Sequence, residues 1–304
     1  MDAAVTPMQV GIHGYDITTS CNLFAPERLF EVVGELNALG VAGSGSVGIE
    51  VYPTRHTPIA PVDGRHLLQW QRRYGAPVRR VHLEFASDAP EVRHILRRAD
   101  QSKGVISRAM LRALYALLPD VAAGRGIDLA AELNVGVNVH SNVLARLLQT
   151  DELAELTCRV PFVLAENNIH ADYLYVNGPI TYDPRVVVDQ LVGRCGVTGL
   201  LLALDHLFEH NGTPAIDPLA ILEDPRIQRW TEAIHIAGKG HALVRPGDPS
   251  MERLLRKLAR TPFAHPVRLA FDYSPLAMLR YSTRAQVRLF GDTIKWLRAL
   301  HSTA

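Results

Sequence analysis

Eight short runs of apolar residues recur along the chain, and each is followed by a segment with a helical pattern. Within each run valine, isoleucine, leucine and alanine occupy successive positions, which is typical of a strand buried on both faces of a parallel sheet. Most of the runs end roughly 30–40 residues after the run before, the length of one strand–helix unit. They comprise residues 8–15, 47–53, 79–85, 135–141, 162–167, 199–205, 232–238 and 267–273.

Helix start signals follow several of these runs. A capping side chain placed just before proline favours the first turn of a helix. This combination occurs at Asp183-Pro184, Asp217-Pro218, Asp248-Pro249 and Ser274-Pro275. A further helix is predicted from Pro26 to Gly40. The stretch 86–134 is too long for one helix, so we expect two or three helices there.

The chain is predicted to be one α/β domain over residues 1–304. No linker rich in glycine, serine or proline divides it, and a β/α barrel of ~250 residues accounts for most of its length. Alternating strands and helices therefore predict an eight-stranded (β/α)8 TIM barrel, with a doubly wound open sheet as the alternative fold.

Composition and charge narrow the class of protein. The 47% hydrophobic and 21% charged residues are ordinary values for a soluble globular protein. The net charge of +1 lacks the basic excess of a nucleic-acid-binding domain. The longest apolar run, near residues 200–204, is far shorter than the ~20 residues of a membrane span. We therefore expect a small-molecule substrate, with neither a nucleic acid nor a membrane as partner.

The N-terminus and the cysteines indicate a cytoplasmic protein. The first residues, MDAAVTPMQV, lack the basic region of a secretory signal. Cys21, Cys158 and Cys195 are odd in number and form no Cys-x-x-Cys motif, so neither a disulfide framework nor a cysteine zinc site is indicated.

Acidic and histidine side chains stand at the predicted carboxyl ends of the strands, where a β/α barrel carries its active site. Strands 5 to 8 each supply one such residue, in order Glu166, Asp205, His235 and Asp272. Burying several carboxylates together is costly unless a cation neutralises them. Mixed carboxylate and imidazole ligation suits one divalent ion such as Mn, Mg, Co, Zn or Fe. Singly, each residue also has a structural interpretation, as a core histidine or a helix cap.

This order of residues resembles the superfamily of xylose isomerase-like and endonuclease IV-like barrels. The matching segments are FVLAEN with Glu166, LLALDH with Asp205, EAIHIAGKGH with His235 and VRLAFDYSP with Asp272, together with IEVYP and Glu50 on strand 2. Two positions depart from the pattern. Sugar epimerases of this type usually end with glutamate where Asp272 stands, and their Asp-x-x-His motif has Phe208 in the histidine position here.

The resemblance implies a metal-dependent isomerase or epimerase of a sugar or polyol-like molecule. One divalent ion would be held by Glu166, Asp205, His235 and Asp272, and Glu166 and Asp272 would be the acid–base pair. Substrate hydroxyls or a phosphate would be bound by the remaining polar residues of the site, namely His82, His140, His206, Lys239 and His241.

Three other functions stay open at this point. An iron-dependent oxidase or cleavage enzyme acting on a peptide or natural product fits the abundant histidines and the segments AENNIHADY and IHIAGKGH. An apurinic endonuclease of this superfamily needs Asp-x-His after strand 7, where this chain has Lys239-Gly240-His241. A barrel that only binds a ligand is the third.

Two segments are left with two interpretations each. The loop 167–182 is long enough to be a lid over the site, although its tyrosines could instead pack on the barrel rim. The amphipathic last helix, TRAQVRLFGDTIKWLRAL, packs either on the barrel or on a second copy of the chain, so a homo-oligomer is an open prediction.

Overall fold

Eight parallel strands close into a barrel in the computed structural model. The structure describes residues 12–22, 25–43, 45–52, 64–83, 127–141, 144, 157–167, 183–194, 196–208 and 215–302. Each strand pairs with the next along the chain, and the eighth pairs with the first. The strands are β1 Ile12–Thr18, β2 Val47–Val51, β3 Val78–Leu83, β4 Gly136–His140, β5 Val163–Glu166, β6 Val197–Ala203, β7 Thr231–Ile236 and β8 Val267–Phe271. The predicted TIM barrel is confirmed, and the open sheet is excluded.

Helices connect the strands on the outside of the barrel. They are α1 Pro26–Ala38, α2 Gly64–Tyr74, α3 Pro184–Leu191, α4 Pro218–Glu223, α5 Pro225–Trp230, α6 Pro249–Arg260, α7 Pro275–Met278 and α8 Thr283–Ser302. Residues 127–133 are also helical. Most of the stretch 86–134, in which two or three helices were expected, lies outside the described residues. None of the described helices is long and apolar enough to cross a membrane.

The capping signals work as the sequence indicates. The carboxylates of Asp183 and Asp217 accept hydrogen bonds from backbone N–H groups two residues later, at 2.9 Å in both cases. Asp224 does the same for Arg226, so the segment after Asp217 forms two short helices, α4 and α5.

Strand β1 ends later than predicted. The apolar run predicts its end near residue 15, and the strand spans Ile12–Thr18. It continues to Thr18 because Asp16 and Thr18, although polar, are fully buried. Both contact buried side chains from elsewhere in the barrel: Asp16 binds Arg80 on β3, and Thr18 binds Asp272, which follows β8. An apolar pattern cannot detect a strand whose inward face is polar.

The barrel has an apolar outer layer and a mixed interior. Valine, isoleucine and leucine on the outward faces of the strands pack beneath the helices. Inside, a small apolar cluster of Leu164, Leu201, Ala203 and Ala233 lies in the same interior as a buried ionic network. The last helix, α8, packs against α1 and α6 with Phe290 buried, which supports the first of its two interpretations. A homo-oligomer stays a prediction.

Candidate active site

Carboxylates and histidines from five strands meet at the carboxyl end of the barrel. The strand register pairs His140 directly with Glu166 across β4 and β5. His235 on β7 lies opposite Ala203 on β6, and Glu50 and His82 lie near the ends of β2 and β3. Because parallel strands of a barrel end on one side, these side chains are brought together.

Glu50 and Glu166 are bridged twice, by His82 and by His235. Nδ1 of His82 lies 2.8 Å from Oε1 of Glu50, and Nε2 of the same ring lies 2.9 Å from Oε2 of Glu166. Nε2 of His235 lies 3.0 Å from Oε1 of Glu50, and its Nδ1 lies 3.2 Å from Oε1 of Glu166. Each imidazole thus uses both of its nitrogens on the two carboxylates, and all four residues are buried.

Ion pairing controls the charge of this group. Burial acts to raise the pKa of both glutamates, but His235 and Arg80 hold the pKa of Glu50 well below its usual range. His82, His235 and His140 do the same for the pKa of Glu166. Although burial opposes it, pairing with Glu166 and Glu50 raises the pKa of His82 to about 9 and that of His235 well above its usual value. The carboxylates are therefore ionised and surrounded by positive charge.

Asp205, His206, His241 and Asp272 form a second group beside the first. Nδ1 of His241 lies 3.3 Å from Oδ2 of Asp205 and 3.2 Å from Oδ2 of Asp272. Nε2 of His206 lies 3.7 Å from Oδ2 of Asp205, and its Nδ1 lies 3.9 Å from Oε1 of Glu166. His206 therefore lies between the two groups.

Asp272 is anchored by hydroxyl groups from strand β1 and the turn that follows it. Its Oδ1 accepts hydrogen bonds from the hydroxyls of Thr18 at 2.8 Å and Ser20 at 2.5 Å. The other oxygen, Oδ2, faces His241. One oxygen is thus held by β1 and the turn after it, while the second is directed into the site.

A tight turn after β7 carries Lys239 and His241. Gly238 and Ala242 are bridged by backbone hydrogen bonds, and Gly240 and His241 both have positive φ, 66° and 56°. A non-glycine residue in this region is strained, and the contacts of the His241 ring with Asp205 and Asp272 compensate for that strain. Lys239 is exposed in the same turn.

Donor atoms in the described residues form three groups that could hold a metal ion. The atoms of each group lie within 4.8 Å of one another; the groups are Glu50, His82 and His235; His82, His140 and Glu166; and Asp205, His206 and His241. None of the three contains all four ligands expected from the sequence. The structure brings Glu166 to His235, and it brings Asp205 and Asp272 to His241.

Comparison with solved structures identifies related architectures. A D-psicose 3-epimerase superposes with a TM-score of 0.56 at 12% identity, over 95% of this chain and 99% of that one. A sugar phosphate isomerase/epimerase from Parabacteroides distasonis ATCC 8503 has a TM-score of 0.52 at 10% identity, over 98% and 96%. The chain is similar in fold to xylose isomerase-like TIM barrels. The resemblance predicted from the strand-end residues is confirmed at the level of the fold.

A longer protein also contains this xylose isomerase-like architecture. It is described as a xylose isomerase-like TIM barrel/4-hydroxyphenylpyruvate dioxygenase fusion protein, with a TM-score of 0.53 at 18% identity. The match covers 91% of this chain and 41% of that protein, so this chain spans less than half of its length. No family model matches the sequence, and no curated protein matches it.

Sequence reasoning overlooked several residues that shape the site. The sequence points to Glu50 only through the family resemblance, and the strand pattern predicts no role for Arg80, Thr18 or Ser20. A charged residue such as Arg80 within an otherwise apolar strand is a signal that could have been used, because its burial requires a partner. Thr18 and Ser20 gave no such signal, because they lie beyond residue 15, where the first strand was predicted to end. The loop 167–182, for which a lid and packing on the rim were both open, lies outside the described residues beyond Asn167.

Proposed function

We propose that this chain is a divalent-metal-dependent isomerase or epimerase of a sugar or polyol-like small molecule. The observation that carries the proposal is the buried array of carboxylates and imidazoles at the carboxyl end of the barrel, extending from Glu166 through His206 to Asp205 and Asp272. The structures of like fold include proteins described as a D-psicose 3-epimerase and a sugar phosphate isomerase/epimerase, which supports the reaction class.

The donor set fits a divalent cation. Nε2 of His82 and Oε2 of Glu166 are buried and 2.9 Å apart, but they are not aligned for a hydrogen bond. Buried polar atoms normally have partners, and carboxylate and imidazole together suit several divalent metals. The proposed ligands are Glu166, Asp205, His235 and Asp272. A bound divalent ion would supply Lewis-acid polarisation of a substrate carbonyl and its neighbouring hydroxyl.

The chain's own carboxylates are proposed to move the proton. Glu166, at the end of β5, is kept ionised because neighbouring histidines hold its pKa low, so it can accept a proton from the carbon next to the carbonyl. Asp272 follows β8, and its Oδ2 faces His241 in the site while Thr18 and Ser20 hold Oδ1. Two carboxylates from separate strands can act on the two faces of one carbon, as a two-base epimerisation requires.

The remaining polar residues are proposed to bind the substrate. His140, His206 and His241 are partly or largely buried around the two groups, where their N–H groups can hold hydroxyl oxygens. Lys239, exposed in the turn beside His241, suits a phosphate or a carboxylate at the substrate's far end. The proposed partner is therefore a small molecule. His82, which the sequence also predicted to bind substrate, is fully buried with its two ring nitrogens on Glu50 and Glu166.

Solvent hydrogen exchange tests this function directly. Metal-loaded protein incubated with a panel of ketoses in deuterated water should place deuterium at one substrate carbon. Absence of exchange with every sugar, together with oxygen consumption when iron and a peptide are supplied, would instead support the oxidase alternative. That alternative is favoured by one observation, the five histidines that surround the two carboxylate groups.

A further inference from the structure

An ionic network, buried except for the partly exposed Arg268, runs through the barrel to the candidate site. Arg268 on β8 binds Asp16 through Nε and Nη2, with Nη2 to Oδ1 at 2.7 Å. Oδ2 of Asp16 accepts a hydrogen bond from Nη2 of Arg80 at 3.0 Å. Arg80 in turn binds Glu50. Positive and negative side chains therefore alternate along this ionic network.

Arg80 occupies one oxygen of Glu50 and leaves the other to the histidines. Its Nε and Nη2 both donate to Oε2, at 3.3 Å and 3.1 Å. Oε1 is then shared by Nδ1 of His82 and Nε2 of His235. The side chains of Arg80 and Glu50 are 4% and 0% exposed. A pair taken so far out of water needs compensating hydrogen bonds, and Glu50 has them on both oxygens.

Because Arg80 donates two hydrogen bonds to Glu50, the carboxylate is held as an ion-paired acceptor, which accepts hydrogen bonds and does not donate them. The ring nitrogens facing Glu50 must therefore carry protons, which makes them unable to bind a metal. The opposite nitrogens, Nε2 of His82 and Nδ1 of His235, both face Glu166. The hydrogen bond at one ring nitrogen determines which nitrogen is available for a ligand.

We propose that Arg80 is a positioning residue that orients Glu50, and that Glu50 in turn directs Nε2 of His82 and Nδ1 of His235 toward a cation at Glu166. This inference rests on the proposed function, because it assigns the nitrogen of His235 that faces the metal and adds His82 to the proposed ligands. Lysine cannot replace the arginine fully, since a single ammonium group lacks the planar fork that fixes one carboxylate oxygen.

Cadmium binding followed by NMR tests the assignment of nitrogens. In histidine-labelled protein loaded with an NMR-active cadmium isotope, scalar coupling should appear at Nε2 of His82 and Nδ1 of His235. Protons should remain on the nitrogens that face Glu50. Coupling at the Glu50-facing nitrogens would overturn the inference, because Glu50 would then be a ligand itself.

Three arginine variants separate positioning from structural support. Arg80→Met should weaken cadmium binding by about 10–100-fold, the usual cost of removing a residue that orients a metal ligand, and Arg80→Lys should restore part of it. Arg268→Met is the matched control, because Arg268 binds the same Asp16 but does not contact Glu50. Equal weakening in Arg80→Met and Arg268→Met would contradict the proposal.

Metal-free protein provides a readout that does not depend on the proposed function. The N–H signals of His82 Nδ1 and His235 Nε2, shifted downfield by hydrogen bonding to Glu50, should be lost in Arg80→Met and retained in Arg268→Met. If Arg80→Met does not fold, Glu50→Gln takes its place, since Arg80 would retain the amide oxygen and turn the NH₂ group toward both histidines. Retained signals in the folded variant refute positioning, whereas absence of cadmium binding to the unaltered protein refutes the metal site.

Discussion

Oε1 of Glu166 lies 3.2 Å from Nδ1 of His235, although the two residues stand on β5 and β7, strands that are not neighbours in the barrel. The intervening strand β6 ends at Ala203, whose small side chain packs inside the barrel. Both contacting residues are buried. The contact therefore spans the interior, and it places a carboxylate and an imidazole where one cation can reach both.

Glu166→Gln should abolish metal-dependent stabilisation while leaving the barrel folded. A ligand that binds only the folded state adds about 2.7 kcal/mol to the free energy of unfolding at a hundredfold excess over Kd. Thermal denaturation with and without manganese should show this increase in the unaltered protein and lose it in the variant. Full activity of a chelated sample on the substrate found by hydrogen exchange would contradict the metal site.

The hydroxyl of Thr18 is expected to matter through Asp272. Thr18→Val keeps the side-chain volume but removes a hydrogen bond to a carboxylate, which contributes about 1.5–3 kcal/mol to stability. Thr18→Ser keeps the hydroxyl and is the matched control. Chemical denaturation should separate the two, with the valine variant less stable by roughly that amount, and the opposite order would show that packing dominates.

Asp272→Asn should slow solvent hydrogen exchange by about 10²–10⁴-fold, the range for losing a general acid or base. The amide keeps the size of the side chain and can still accept from Thr18 and Ser20, so the fold should survive. Rates of deuterium incorporation at saturating substrate measure the effect. A variant that exchanges at the original rate would remove Asp272 from the acid–base pair.

Gly240→Ala should impair the site through the backbone of the turn that carries His241. The alanine side chain meets nothing within 4 Å, so any loss comes from the positive φ of 66°, which costs about 1–2 kcal/mol for a residue with a β-carbon. Gly247→Ala is the control, because its φ is 80° and it also meets nothing within 4 Å. Both variants should lose similar stability, and activity should fall in Gly240→Ala alone.

Cys21 should resist thiol reagents in the native protein, whereas Cys158 should react. Burial, together with the nearby charge of Asp272, raises the pKa of Cys21 from 9.0 to about 12, while Cys158 is exposed. Because the folded thiol keeps its proton to a higher pH than the unfolded one, this group makes the free energy of unfolding fall as pH rises from 9.0 toward 12. Peptide mapping after labelling at neutral pH identifies the modified residue, and rapid labelling of Cys21 would show that its pocket opens.

Local chemistry in the sequence was enough to predict the barrel and the order of its site residues. Runs of valine, isoleucine and leucine indicate buried strands because each strand is covered on its outer face by helices, and Asp-Pro pairs mark helix starts because their caps act within two residues. Since every strand of such a barrel runs in the same direction, Glu166, Asp205, His235 and Asp272 could be assigned to one end.

The tertiary structure alone decided which of these groups meet. Glu50 reaches His235 across 185 residues and Thr18 reaches Asp272 across 254, and such contacts depend on barrel closure and strand register. Asp16 and Arg80 read as polar interruptions in the chain, yet they are buried because each neutralises the other. The hydrophobic pattern reflects only the polarity of each side chain. Whether a charged side chain is buried depends on a partner of opposite charge that folding brings next to it.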